Sequence, residues 1–154
     1  MTITNGNSIG KWTSILYRYS QIYIDKELKP YNIGPGQFPF LILLLNSNGI
    51  TTQDRLSKCL NIDKATTTRA LTKLEQAGYL TRKVNPKDKR ARIVTVTEKA
   101  VKLKPILHQI SERWTIKLTA GFSDWEKELI VTILEKLAGN AEHIIREELS
   151  LDEK

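Results

Sequence analysis

Arg90 stands in the densest basic run of the chain, Lys87-Asp88-Lys89-Arg90-Ala91-Arg92, and a second polar set, Lys64, Thr66, Thr67, Thr68, Arg69 and Lys73, lies upstream of it. Lysine and arginine neutralise phosphates and displace their condensed counterions, so two such clusters point to a polyanionic partner. Arginine also carries a planar fork of donors that can read guanine or clamp a phosphate. Threonine offers a methyl group that can touch thymine. The chemistry suggested is recognition, and it depends on elements that hold both clusters on one surface.

The charge distribution supports that focus. The chain has 154 residues, with 24 Lys plus Arg against 17 Asp plus Glu, for a net charge of +7. Residues 51–104 carry 14 basic and 5 acidic side chains, a net of +9. Residues 1–50 carry 4 and 2, whereas residues 105–154 carry 6 and 10, a net of −4. A hydrophobic fraction of 40% with 27% charged residues excludes general disorder, and the length suits one domain with a real core. The single cysteine, Cys59, excludes an internal disulfide framework and any cysteine-cluster zinc site, and is expected to be a small buried hydrophobe. The first residues lack a signal-peptide pattern. The longest apolar run, Phe38 to Leu45, is interrupted by Pro39 and too short to cross a bilayer. The expectation is a soluble cytoplasmic protein with no membrane partner.

Periodicity then supplies the elements. Ile9, Trp12, Leu16, Tyr19 and Tyr23 recur at spacings of three and four, predicting an amphipathic helix capped by Asn7 or Ser8 and ending before Pro30. A second helix is expected to start at Pro35 and run through Phe40 to Leu45, with Pro39 removing a backbone bond or bending its first turns. Thr51 or Thr52 caps a short helix bearing Leu56 and Leu60. After Asn61, Asp63 caps another helix from Lys64 to about Ala77, with Ala70, Leu71 and Leu74 inward. This pair reads as a helix-turn-helix. Tyr79–Val84 and Arg92–Val96 are β-prone and flank the basic turn Asn85 to Ala91, which makes a hairpin wing. Two long helices follow. One is capped by Thr97 and carries Leu103, Leu107, Ile110, Trp114, Leu118 and a possible kink at Pro105. The other runs from about Asp124 with an apolar stripe reaching Leu149.

This order resembles the MarR-type winged-helix transcriptional regulators across nearly the whole chain. The stretch Asn61 to Leu80, ending in Leu74-Glu75-Gln76-Ala77-Gly78-Tyr79-Leu80, is similar to that family's recognition helix and its Leu-Glu-x-x-Gly-aromatic-Leu signature. Arg82, Asp88-Lys89-Arg90 and Val96-Thr97-Glu98 follow at the family's spacing. Gly34 and Ala100 depart from it where Ser or Thr and Gly are common.

The expected fold is mainly α with a small β-hairpin wing: a winged helix-turn-helix with long N- and C-terminal dimerisation helices. It is read as one unit over 1–154, with 1–30 and 105–154 dimerising and 31–104 forming the winged helix-turn-helix. The function expected is a sequence-specific double-stranded DNA-binding regulator, a repressor acting as a homodimer on a palindromic operator. The recognition helix would contribute Lys64, Thr66, Thr67, Thr68, Arg69 and Lys73. From the wing would come Lys87, Asp88, Lys89, Arg90 and Arg92, with Arg90 entering a minor groove and Asp88 orienting its guanidinium. Arg82 and Lys83 would add phosphate attraction or solvate the hairpin.

The resemblance also implies a small-molecule effector cleft, for which Trp12, Tyr19, Tyr23, Phe38, Phe40 and Trp114 are the candidates. No cofactor is expected. No metal is expected either, because His108 and His143 are far apart and neither is read as having a ligand partner at i+3 or i+4 spacing. The absence of a phosphate loop, a nucleophile–base set or a metal dyad argues against an enzyme. A winged helix used as a protein-interaction module, without specific DNA binding, is the competing expectation.

Overall fold

The computed structural model describes residues 8–152, with side chains through 148, so Asn7 and the side chain of Leu149 lie outside the described residues. The chain divides into two compact units, residues 1–114 and 115–154.

The first unit opens with α1, Ile9–Leu28, capped by Ser8, whose hydroxyl accepts the Lys11 N–H at 3.1 Å. A 3-10 turn over Lys29–Tyr31 ends it, and Asn32 takes the left-handed conformation with φ 56°. Its buried residues are Ile24 and Leu28, whereas Ile9, Trp12, Leu16 and Tyr19 are exposed. The expected stripe is therefore split, because only the last turns of α1 meet this unit's core.

Helix α2, Phe38–Asn46, begins three residues later than expected. Residues 35–37 form a turn, which places Pro39 in the first helical turn. There its missing N–H has no intrahelical acceptor to lose, so it removes no helix bond. Phe40, Leu41, Leu44 and Leu45 are buried.

Strand β1, Ile50–Thr52, was not anticipated; it pairs antiparallel with β3, with Thr51 opposite Val94. Gly49 makes the entry possible. Its φ is +75°, and a Cβ there would stand 2.6 Å from the Val96 side chain. Any larger residue would push the strands apart.

Helix α3, Gln53–Leu60, is capped by Thr52 and closed by left-handed Asn61. Helix α4, Lys64–Gln76, buries Ala70, Leu71 and Leu74 as its spacing requires. The hairpin is tighter than expected. β2 covers Leu80–Asn85 and β3 covers Asp88–Val96, leaving only residues 86 and 87 in the turn. Asp88, Lys89, Arg90 and Ala91 thus belong to β3 rather than to a loop. The three-stranded sheet has the order β1-β3-β2.

Helix α5, Glu98–Leu118, runs unbroken through Pro105 and buries Ala100, Leu103, Leu107 and Ile110. Leu118, expected on the buried stripe, is exposed. Within the first unit, several contacts tie α5 to α1, among them the Tyr23 hydroxyl donating to the Ile110 carbonyl at 3.5 Å. Tyr23 and Trp114 stack with centroids 4.6 Å apart, Trp114 Nε1 donates to Ser20 Oγ at 3.0 Å, and Arg113 pairs with Glu27 at 2.9 Å.

In the second unit, α6 spans Asp124–Asp152. Ser123 and Glu126 form a reciprocal cap: Glu126 Oε2 accepts the Ser123 N–H at 2.7 Å, and Ser123 Oγ accepts the Glu126 N–H at 3.3 Å. No described helix is long and apolar enough to cross a membrane.

Candidate nucleic-acid interface

The N-terminus of α4 is set by Asp63. Its carboxylate accepts the Thr66 N–H at 2.8 Å, and that bond holds the acid below the usual carboxylate range. The first turn of α4 is thereby fixed, with its remaining N–H groups at the positive end of the helix. Lys64, Thr68, Arg69 and Lys73 are exposed, and Thr66 is half-buried. Arg69 is held in place by donating to Thr66 Oγ1 at 2.9 Å.

Thr67 corrects one expectation. It is fully buried, with its hydroxyl directed at the Ile62 carbonyl 3.5 Å away, so it packs the turn beneath α4 and offers nothing outward.

The wing presents Lys87, Asp88, Lys89, Arg90 and Arg92, all exposed. Asp88 accepts the backbone N–H of Arg90 at 3.0 Å. Its connection to Arg90 therefore runs through the main chain and not through the guanidinium. Asn85 makes the matching bond to the Lys87 N–H at 3.0 Å, so each end of the turn is closed by a side-chain oxygen.

Arg82 has a third role, neither phosphate attraction nor solvation. Its guanidinium donates to Glu75 Oε2 at 2.8 and 3.1 Å and to Thr72 Oγ1 at 2.9 Å, while Glu75 Oε1 accepts its backbone N–H at 2.9 Å. The side chain is only 18% exposed. This fork ties β2 to α4 and so fixes the wing against the recognition helix. The Glu75 and Arg82 of the sequence signature meet here.

Helix and wing converge. Lys64 from α4 and Arg90 and Arg92 from β3 line one depression, together with Asp54 and Ser57 of α3. Asp54 bonds Lys58 at 2.9 Å and lies 3.6 Å from Lys64, and the Lys58 ammonium holds its carboxyl below the ordinary value. Asp54, Gln53 and Ser57 of this surface escaped sequence reasoning. Asp54 was hidden because an acid in a basic region reads as noise. Gln53, which donates to Thr68 Oγ1 at 2.7 Å, was hidden because no pattern links positions on two helices.

The aromatic candidates do not assemble as one lining. Phe40 is fully buried in the core and Phe38 packs against it. Tyr23 and Trp114 stack on each other, and Trp12 and Tyr19 are exposed on α1. Cys59 is exposed, contrary to expectation, because it lies to the side of the inward face of α3 formed by Leu56, Ser57 and Leu60. Likewise His143 does have an i+4 partner: its Nε2 lies 3.3 Å from Glu147. Among the described residues there is no group of three or more His, Cys, Asp or Glu able to hold a metal ion.

Comparison with known proteins follows the same geometry. Residues 33–91, from the start of α2's approach to the middle of β3, match the profile of the MarR family. The HTH-type transcriptional regulator BilQ of Clostridioides difficile (strain CD3) is 34% identical over 116 residues, covering 75% of this chain and 78% of that protein. The crystal structure of a MarR transcriptional regulator from Methanosarcina mazei Go1 superposes with a TM-score of 0.84 at 45% identity, covering 88% of this chain and 97% of that one. A structure described as a MarR family transcriptional regulator from Listeria monocytogenes complexed with 26mer DNA gives a TM-score of 0.79 at 27% identity, covering 86% and 88%. Sequence identity and fold agree: the chain belongs to the MarR family of transcriptional regulators, and it is not an enzyme.

Proposed function

We propose that the protein is a homodimeric repressor that reads a palindromic operator in double-stranded DNA, with α4 in the major groove and the β2–β3 wing beside the minor groove. The observation that carries this reading is the shared surface of Lys64, Arg90 and Arg92, which joins recognition helix and wing. The DNA carried by the Listeria relative supports it. Lys64, Arg69 and Lys73 supply phosphate or base contacts from the helix, and Thr66 and Thr68 accompany them. Arg90 suits a narrow minor groove, where negative potential is concentrated. Lys87, Lys89 and Arg92 add attraction independent of sequence, and Asp88 shapes the turn. A DNA-binding protein of this kind works in the cytoplasm.

Dimerisation supplies the second half-site, since one winged helix spans only a short stretch of DNA. The exposed Ile9, Trp12 and Leu16 of α1 and Ile133, Leu134 and Ile144 of α6 are the apolar surfaces available for it. A small-molecule effector would have Trp12, Tyr19 and the Tyr23–Trp114 stack as its candidate contacts, with Phe40 excluded by its burial.

The test compares Arg90→Ala with Lys87→Ala by operator titration at fixed salt. Arg90→Ala is expected to weaken binding the more, by about tenfold for a lost charge-assisted groove contact. Equal small losses would remove the special role of Arg90, and salt-insensitive binding of a protein partner without DNA would favour an interaction module.

A further inference from the structure

We propose that Gln53, on α3 and outside the recognition helix, is a positioning residue for base reading: it takes up the Thr68 hydroxyl, so that Thr68 meets DNA with its methyl group and one operator position is read as thymine. The inference rests on the DNA-reading role of α4 argued above.

Thr68 is the fifth residue of α4, in the half of a recognition helix that faces base edges. A threonine hydroxyl has one hydrogen and two lone pairs. That hydrogen is given to the Lys64 carbonyl, 2.8 Å away. Gln53 must therefore approach as a donor, and its Nε2 lies 2.7 Å from Thr68 Oγ1. The amide orientation is thus dictated by the bond that Thr68 already makes. With its hydrogen held by the helix and one lone pair held by Gln53, the hydroxyl is turned to its own protein on both counts.

Gln53 is half-buried and Thr68 exposed, so the member left to the solvent side is the threonine. Both residues, with Arg92 of the wing, line one depression. The methyl of threonine against the 5-methyl of thymine is an apolar contact with no hydrogen-bond requirement. Thr66 differs, because its hydroxyl accepts from Arg69 and positions a cation instead.

The experiment uses the full-length protein and its selected operator, with thymidines replaced by deoxyuridine one symmetric pair at a time, at constant salt. One replacement is expected to weaken wild-type binding by about fourfold per half-site, the value of one buried methyl group. Thr68→Ser should bind but ignore that replacement. Gln53→Met should bring the thymine-to-uracil ratio towards one, whereas in a Thr68→Val background the same Gln53→Met change should leave the ratio intact, since valine presents methyls unaided. Melting curves confirm that each variant is folded. A ratio unchanged by Gln53→Met beside Thr68, or specific binding with no uracil sensitivity anywhere, overturns this inference alone. Wild-type protein that binds every duplex alike overturns the DNA-reading role as well.

Discussion

Asp54 limits how much of the basic surface is available to a polyanion. Its carboxylate engages Lys58 and Lys64, so two cations beside α4 are partly neutralised before any partner arrives. Asp54→Asn removes the charge and keeps the shape. Operator and unrelated duplexes should then both bind more tightly, with the log–log salt slope steeper by about one; titrations at several salt concentrations measure it. An unchanged slope would mean that the pair is too exposed to matter. Asp88 makes the opposite kind of prediction, because its partner is a backbone N–H. Asp88→Asn can still accept that bond and should bind operator much as wild type does, whereas Asp88→Ala should lose about fivefold, the worth of one hydrogen bond that shapes the turn. Loss in both variants would restore a role for the charge.

Among the elements, the link between α4 and β2 has the clearest energetic content. The Arg82 guanidinium is mostly shielded and makes three bonds, so Arg82→Ala deprives Glu75 Oε2 and Thr72 Oγ1 of it, while Glu75 Oε1 keeps the backbone N–H of residue 82. A loss of about 1–3 kcal/mol is expected, measured by urea unfolding. Operator affinity should fall further than stability alone explains, since the wing loses its reference to α4. Capping makes α4 sensitive to acid. The native Asp63 carboxyl titrates below its unfolded value, so its stabilisation is complete above about pH 4 and disappears as pH falls through the lower native value. Helical circular dichroism during acid titration should therefore fall less steeply in Asp63→Asn, which keeps the acceptor without the charge. The elements differ in how far their sequences disclose them. α4 was legible because its apolar spacing, its Asp63 cap and the Gly78 stop, at φ +79°, agree. β1 was not, since three residues carry no period and its existence depends on β3 lying alongside.

For the molecule as a whole, the exposed apolar residues of α1 and of α6 are the features its own chain leaves uncovered. A homodimer would cover them. Sedimentation at micromolar concentration should give about twice 17.6 kDa, and Leu16→Asp, placed on the exposed face of α1, should shift the population towards monomer without loss of helix signal. Operator affinity should fall with it, because the second half-site contributes only through a joined partner. A monomeric wild type would contradict the dimer and the palindrome together.

Local chemistry was enough to specify the helices with matched caps and periods, the basic middle segment, and the family, because each depends on residues close together in the chain. The tertiary structure decided matters that depend on residues far apart. It buried Thr67 and Phe40 and exposed Cys59, since which face of a helix meets the core depends on the neighbouring elements. It gave Asp88 to the backbone and Arg82 to Glu75, since a side chain's partner is settled by what packing brings within hydrogen-bond reach. By the same means it set Gln53 of one helix against Thr68 of the next. The net charge of +7 says only that a polyanion is attracted; the arrangement of Lys64, Arg90 and Arg92 on a single surface says where.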